Sequence, residues 1–217
     1  MEVFERIGKL FLIKEPKGYS EESMAECLAE NGTLPPMLEE FFRKWAKSDE
    51  LSDLNDEFFM PYPSEDNENY VFFFAENQGA YYVAIRRKDL VLSDPPVYVA
   101  ENHDYRKWLK MTDHLSEFFA AMLGYEASMC LKYRDEGEQY WLTRNEKARF
   151  ERRFPKRPES VKSWFGGRIT LYNDSEESMI SLLTYDGGYQ MDFTANNQAE
   201  LDRIMGIFKE IGIRPLR

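Results

Sequence analysis

The sequence predicts an α+β fold, a mainly antiparallel β-sheet backed by helices, and three observations lead to it. Tyr70-Val-Phe-Phe-Phe-Ala-Glu and Ala80-Tyr-Tyr-Val-Ala-Ile are β-prone apolar runs separated only by Asn77-Gln78-Gly79, which reads as a hairpin. Leu34, Met37, Leu38, Phe41, Phe42 and Trp45 repeat at helical spacing, as do Leu115, Phe118, Phe119, Met122 and Leu123. Met179–Tyr185 and the alternating Tyr189, Met191, Phe193 flank Asp186-Gly187, a strong two-residue hairpin signal.

In chain order, Val3, Ile7, Leu10 and Phe11 predict a first helix, although Leu10-Phe-Leu-Ile-Lys would also serve as a strand; Pro16 and Gly18 end it either way. Ser20 caps a second helix whose buried stripe is Met24, Cys27 and Leu28 and whose stop is Gly32. Thr33 is the expected cap of the third, with Pro35 and Pro36 in its first turn. Phe58-Phe-Met is a short strand and 61–69 an exposed loop. In the hairpin, strict alternation puts Phe72 and Phe74 on one face and Val71, Phe73 and Ala75 on the other, so both faces need cover and the strand should be central. Ser93-Asp94-Pro95 turns the chain into a third strand, Pro96-Val-Tyr-Val-Ala. Tyr105 to Trp108 is ambiguous. Thr112 or Asp113 caps the helix through Cys130, which should pack beside the third helix.

After Trp141 the composition changes, which divides the chain into 1–141 and 142–217, the second part able to pack as one unit with the first. Arg144 to Lys162 holds eight basic residues against three acidic ones and reads as a basic connector. Within it, Thr143 and Glu146 have capping-box spacing, with Pro155 ending the helix. Arg168–Tyr172, Met179–Tyr185 and the run from Tyr189 are three strands. Asn197 with Glu200 opens a last helix closed by Gly212, giving a β-β-β-α extension. There is no internal repeat of fixed period.

A formal net charge of −11 disfavours direct nucleic-acid binding and favours a basic protein partner. Cys27 and Cys130 make no disulfide framework and suit a reducing, cytoplasmic setting. The N-terminal residues lack a signal-peptide pattern and no apolar run approaches ~20 residues, so no membrane span is expected. Phosphate loops, nucleophile elbows, zinc motifs and paired thiols are missing, and His103 and His114 form no ligand set, so the expectation is no catalytic residues, no metal and no cofactor. Glycine pairs at 166–167 and 187–188 read as turns. With 39 acidic residues, carboxylate pairs of any spacing can be found, so a pair in sequence says little about hydrolysis.

One local bias stands out. Ser48 to Ile85 contains no Lys or Arg but nine acidic residues. Such a run is either a solvated face or a contact for a basic partner, and Asp53, Asp56, Glu57, Asp66 and Glu68 are the candidate contact residues. The neighbouring aromatics, Phe72 to Phe74 with Tyr81 and Tyr82, read first as core, with some tyrosines available to line a contact. The basic connector reads as a salt-bridged face against the acidic body rather than as a grip on RNA.

Leu34-Pro-Pro-Met-Leu-Glu-Glu-Phe-Phe, Phe74-Ala-Glu-Asn-Gln-Gly, Asp94-Pro-Pro-Val-Tyr and Leu115-Ser-Glu-Phe-Phe, in this order and spacing, resemble the SUKH superfamily, over about Ser20 to Cys130. That group contains Smi/Knr-type fungal regulators of cell-wall assembly and many bacterial immunity proteins. The resemblance implies helices backing an antiparallel sheet, no enzyme activity and protein binding: in bacteria neutralisation of a toxin, often a nuclease, and in fungi a signalling scaffold. The matching residues are structural, Pro35 at a helix start, Gly79 in the turn, Pro95 and Pro96 at strand entry, and do not mark a binding site. A regulatory scaffold and a hydrolase working through acidic residues are the alternatives.

Overall fold

The chain runs α1 (Glu2–Phe11), α2 (Glu21–Asn31), α3 (Pro36–Lys44), β1 (Glu57–Pro63), β2 (Tyr70–Ala75), β3 (Tyr81–Arg86), β4 (Val97–Glu101), β5 (Trp108–Thr112) and α4 (Leu115–Cys130). It continues through β6 (Tyr140–Leu142), α5 (Arg144–Phe150), β7 (Lys156–Trp164), β8 (Gly167–Tyr172), β9 (Ser178–Tyr185), β10 (Gly188–Ala195) and α6 (Gln198–Ile211). The computed structural model describes residues 2–63, 68–101, 107–164, 166–173, 175–185 and 187–216, excepting the side chains of Glu101 and Ser163. The strands form two five-stranded antiparallel sheets, a meander β1-β2-β3-β4-β5 and a second sheet ordered β6-β10-β9-β8-β7. The fold class is therefore α+β. No helix among the described residues is long and apolar enough to cross a membrane.

The two sheets enclose α4. The helix packs beside α3 as expected, through Phe119 against Phe41, but it is buried on all sides rather than along one stripe: every residue from Phe118 to Ser128 is buried. Phe118 meets Phe73 and Phe74 of the first sheet, with ring centroids 5.2 and 5.6 Å apart, and Phe119 meets Phe4 and Phe41. On the other side Ser128 Oγ donates to Tyr125 O and lies 2.9 Å from Ser181 Oγ of β9, and Thr194 Oγ1 of β10 donates to the Ala127 carbonyl. Gly124 lets the helix approach β8: a Cβ there would stand 2.4 Å from Leu171 Cδ1. One apolar core therefore runs from Phe4 to Leu183, across the expected boundary at 141. A second core lies on the far face of the second sheet, where Tyr140, Ile180, Met191 and Phe193 meet Phe150 of α5 and Phe208 of α6.

The hairpin forms as its sequence predicts. Glu76 N donates to Tyr81 O, Gly79 N donates to Glu76 O, and Gly79 takes φ +70°, a region closed to most side-chain-bearing residues. The Glu76 carboxylate closes the loop by accepting from the Gln78 and Ala80 amides, each at 3.0 Å. Strict alternation fails inside β2. Phe72 pairs with Ala84 and Phe74 with Val83, leaving Phe73 as a bulge residue. Val71, Phe73 and Phe74 consequently all enter the core, while Phe72 turns to the opposite face among Tyr62, Tyr82 and Trp108.

Other corrections concern ends and edges. Ser20 caps α2 and Thr143 with Glu146 forms a full capping box on α5, as expected, but α3 has Pro35 at its N-cap and no side-chain cap from Thr33. The helix α4 is capped neither by Thr112 nor by Asp113: Asp94 accepts from Ser116 N at 2.8 Å and Ser116 Oγ at 2.6 Å. The first strand extends through Pro63 into the expected loop. The strands β5, β6 and β7 were not anticipated, and β7 occupies the stretch read as connector. Of the turn glycines, Gly166 and Gly187 both have positive φ; Asp186 and His103 lie outside the described residues. The basic residues of this stretch are spread through local pairs: Lys147 with Glu151, Arg153 with Glu210, and Arg157 with Glu159, which also pairs with Arg6.

Candidate functional site: an acidic pocket beside the central helix

The segment between α3 and β1 is shaped by a short turn of 3₁₀ helix at Asp49–Leu51, anchored by buried Leu51 and by Ser48 Oγ, which accepts from Lys17 N at 3.1 Å. It bounds a cavity of about 440 Å³. Phe41 and Phe58 give it an apolar wall; Asp49, Asn55, Asp56, Glu57 and Asn77 supply carboxylates and amides, with Lys47 also in the lining. Asp49 is exposed and pairs with Lys17 at 2.8 Å, so neighbouring segments return part of the positive charge missing from the run itself.

The five residues singled out in sequence do not form one patch. Asp56 and Glu57 line the cavity, and Asp53 is exposed just outside the lining. Glu68 is exposed at the opposite end of the β1–β2 ladder, where Pro63 faces Val71, whereas Glu57 faces Ala75. Asp66 lies outside the described residues. Asp56 is not a surface group: it is 4% exposed, and its Oδ1 accepts from Asn55 Nδ2 at 3.1 Å and Asn77 N at 3.3 Å. A solvated acidic face would have kept it in water.

Sequence reading missed Glu126, which organises the floor. This fully buried side chain projects from α4 and accepts, through Oε2, from the backbone N–H groups of Asn55 at 2.7 Å and Asp56 at 3.3 Å. The signal was a single carboxylate inside the apolar run Phe118 to Ser128. Glu126 also meets the Asp56 side chain. Burial, reinforced by the charge of Glu76, pushes the Asp56 carboxyl up to about 6 against the pull of its amide donors. Burial and the Asp56 charge hold Glu126 well above the usual carboxylate range. The adjacent Cys130 thiol is pushed up to about 12, chiefly by burial, which makes it a poor nucleophile.

What the cavity offers to solvent is hydrogen-bond acceptors and negative charge from Asp49 and Glu57, the complement of an ammonium or guanidinium group. No three His, Cys, Asp or Glu side chains among the described residues are placed to hold a metal ion. His114 stands exposed at the N-cap of α4 beside Asp94. A second surface lies on the outer face of the first sheet, where Tyr70 stacks on Trp108 at 4.1 Å and Arg86 lies 4.2 Å above the Tyr98 ring. No family model, no curated protein and no solved structure matches this chain.

Proposed function

We propose that the chain is a non-enzymatic, cytoplasmic protein-binding module that receives a basic side chain of its partner in the acidic pocket, and that it serves as an immunity protein against a toxin domain, in the simplest case a nuclease. The observation carrying this reading is the cavity itself: exposed carboxylates at Asp49 and Glu57 around a polar lining, inside a run without Lys or Arg. The sequence resemblance adds the class of partner. A nuclease gathers phosphates with positive charge, and an acidic partner uses the same field, raising association rates toward ~10⁸ M⁻¹s⁻¹ at low salt.

The test is charge reversal by position. Lysine at Asp49, Asp53 and Glu57 should slow association at least ~tenfold and flatten its salt dependence, whereas Glu68→Lys at the far end of β1 should leave both near the original values. The partner is sought by capture from the native cell, and protection is scored by co-expression with any toxin domain found encoded beside the gene. Unchanged kinetics in a correctly folded triple variant sink the assignment of the pocket.

One observation favours a second reading, hydrolysis: Asp56, a carboxyl raised to about 6, lines a cavity and meets a second carboxyl. Glu126 does not line that cavity, so a substrate there meets only one member of the coupled pair. Turnover of peptide, ester, glycoside or nucleic-acid substrates that disappears in Asp56→Asn, with binding intact, would replace the binding reading.

A further inference from the structure

Of the four carboxyl oxygens of Asp56 and Glu126, two are occupied. Asp56 Oδ1 accepts from Asn55 Nδ2 and Asn77 N; Glu126 Oε2 accepts from two backbone N–H groups. The other two, Asp56 Oδ2 and Glu126 Oε1, are buried and receive no hydrogen bond from any N–H or O–H group described in the structure. The two side chains meet each other, and two ionised carboxylates cannot share such a site without strong repulsion. A proton held by one of the two acids supplies the donor that the ionised pair lacks.

We propose that Asp56 and Glu126 share one proton and form a pH-sensitive latch that fastens the floor of the acidic pocket to α4. The surroundings favour holding that proton. Glu76 approaches from the β2–β3 turn, Tyr125 and Cys130 flank Glu126 on α4, and Asp192 of β10 acts on Tyr125. Arg134, which acts on Cys130, is exposed, and Lys47 is an exposed residue of the cavity lining. Both carboxyls titrate above their ordinary values of 3.8 and 4.5, Asp56 at about 6 and Glu126 higher than its norm. The folded pair thus keeps a proton that the unfolded chain has already released. Its contribution is complete in acid and is lost as pH rises through about 6 and above, in steps that belong to the pair. When the proton leaves, like charges separate the Asn55–Asp56 backbone from α4 and loosen the pocket.

The experiment needs no partner, so its outcome is separate from that of the proposed function. Amide exchange of Asn55 and Asp56, corrected for intrinsic rates, is followed from about pH 5 to about pH 9. In the native protein local opening should increase by up to ~tenfold per pH unit while the closed pair keeps the proton that the open state has released, and level off once the closed pair has titrated. In Glu126→Gln the amide donates to Asp56 Oδ2 while its oxygen keeps the two backbone bonds, so the profile should be flat. Asp56→Asn provides the mirror test if that variant does not fold. Isotope-edited infrared spectroscopy of the native protein should show a protonated carboxyl at neutral pH that Glu126→Gln lacks. Equal pH slopes in native and substituted proteins, or no protonated carboxyl at neutral pH, would overturn the latch.

Discussion

Glu126 on α4 and Glu200 on α6 are both buried glutamates that tie a helix to a neighbouring segment, and their surroundings drive them in opposite directions. Glu200 is 7% exposed and is met by Arg203 through two bonds of 2.6 and 2.7 Å, by Ser178 Oγ at 2.5 Å and by Asn173 Nδ2 at 3.4 Å. Burial alone would raise its pKa, but these donors outweigh it and lower the group to about 2. At Glu126 burial and a neighbouring carboxyl outweigh the two backbone donors, and its pKa goes up. The cause is position in the fold. One side of α6 faces solvent, so the residue three places on from Glu200 can be an arginine; Met122, Leu123, Met129 and Cys130, the helical neighbours of Glu126, lie between two sheets. A carboxylate with a solvent-anchored cation is a permanent anion. One enclosed by apolar layers holds a proton and responds to pH.

The largest expected effects test whether the two regions stand or fall together. Phe118 belongs to the core shared by both sheets and Phe208 to the core behind the second sheet, and each is fully or nearly fully buried. Truncating either to Ala should cost ~3–5 kcal/mol in urea unfolding. Phe118→Ala should lower the midpoint seen by probes in both halves, because α4 is common property. If Phe208→Ala shifts only the probe at Trp141, the second core is a separate cooperative unit, and the comparison is between two such units rather than two sites of one.

A smaller effect is expected where α4 touches β8. Gly124→Ala places a methyl 2.4 Å from Leu171 Cδ1, a clash that Leu171 can relieve only by moving within a fully buried site. A cost of ~1–3 kcal/mol follows. Combined with Leu171→Ala the two changes should be less than additive, measured as a double-mutant cycle in urea. Strict additivity would mean that the helix and the second sheet are not in the contact described.

These contrasts also show what could be read in the sequence. The hairpin, the caps at Ser20 and Thr143 and the helix stops at Gly32 and Gly212 were legible because each depends on residues within a few positions of one another. The cap of α4 was not, because its acceptor, Asp94, lies far back in the chain. The strand β7 was hidden because it is an edge strand, rich in charge and interrupted by Pro158, and edge strands need no apolar alternation. The bulge at Phe73 could not be inferred, since three successive phenylalanines fit either register. At the site, the acidic run located Glu57 and Asp56 but could not separate a rim carboxylate from a buried one. That distinction is made by Glu126, 70 positions away from Asp56.

The smallest expected effect sharpens the opening contrast directly. Arg203 is 46% exposed at its side chain, so solvent screens its pairing with Glu200, and Arg203→Ala should cost only ~1 kcal/mol near neutral pH. The sign of its pH dependence is the informative part. Glu200 has an ordinary value of 4.5 and a folded value of about 2. The stability it contributes is therefore present above about 4.5 and drains away as pH falls toward 2. Removing Arg203 should flatten that acid limb while leaving the alkaline limb, which belongs to Asp56 and Glu126, unchanged. Glu126→Gln should do the reverse. Urea midpoints collected against pH for the native protein and the two variants resolve the limbs separately. If Arg203→Ala alters the alkaline limb as well, the two carboxylate sites are coupled through the shared sheet, and the helices that carry them do not respond to pH independently.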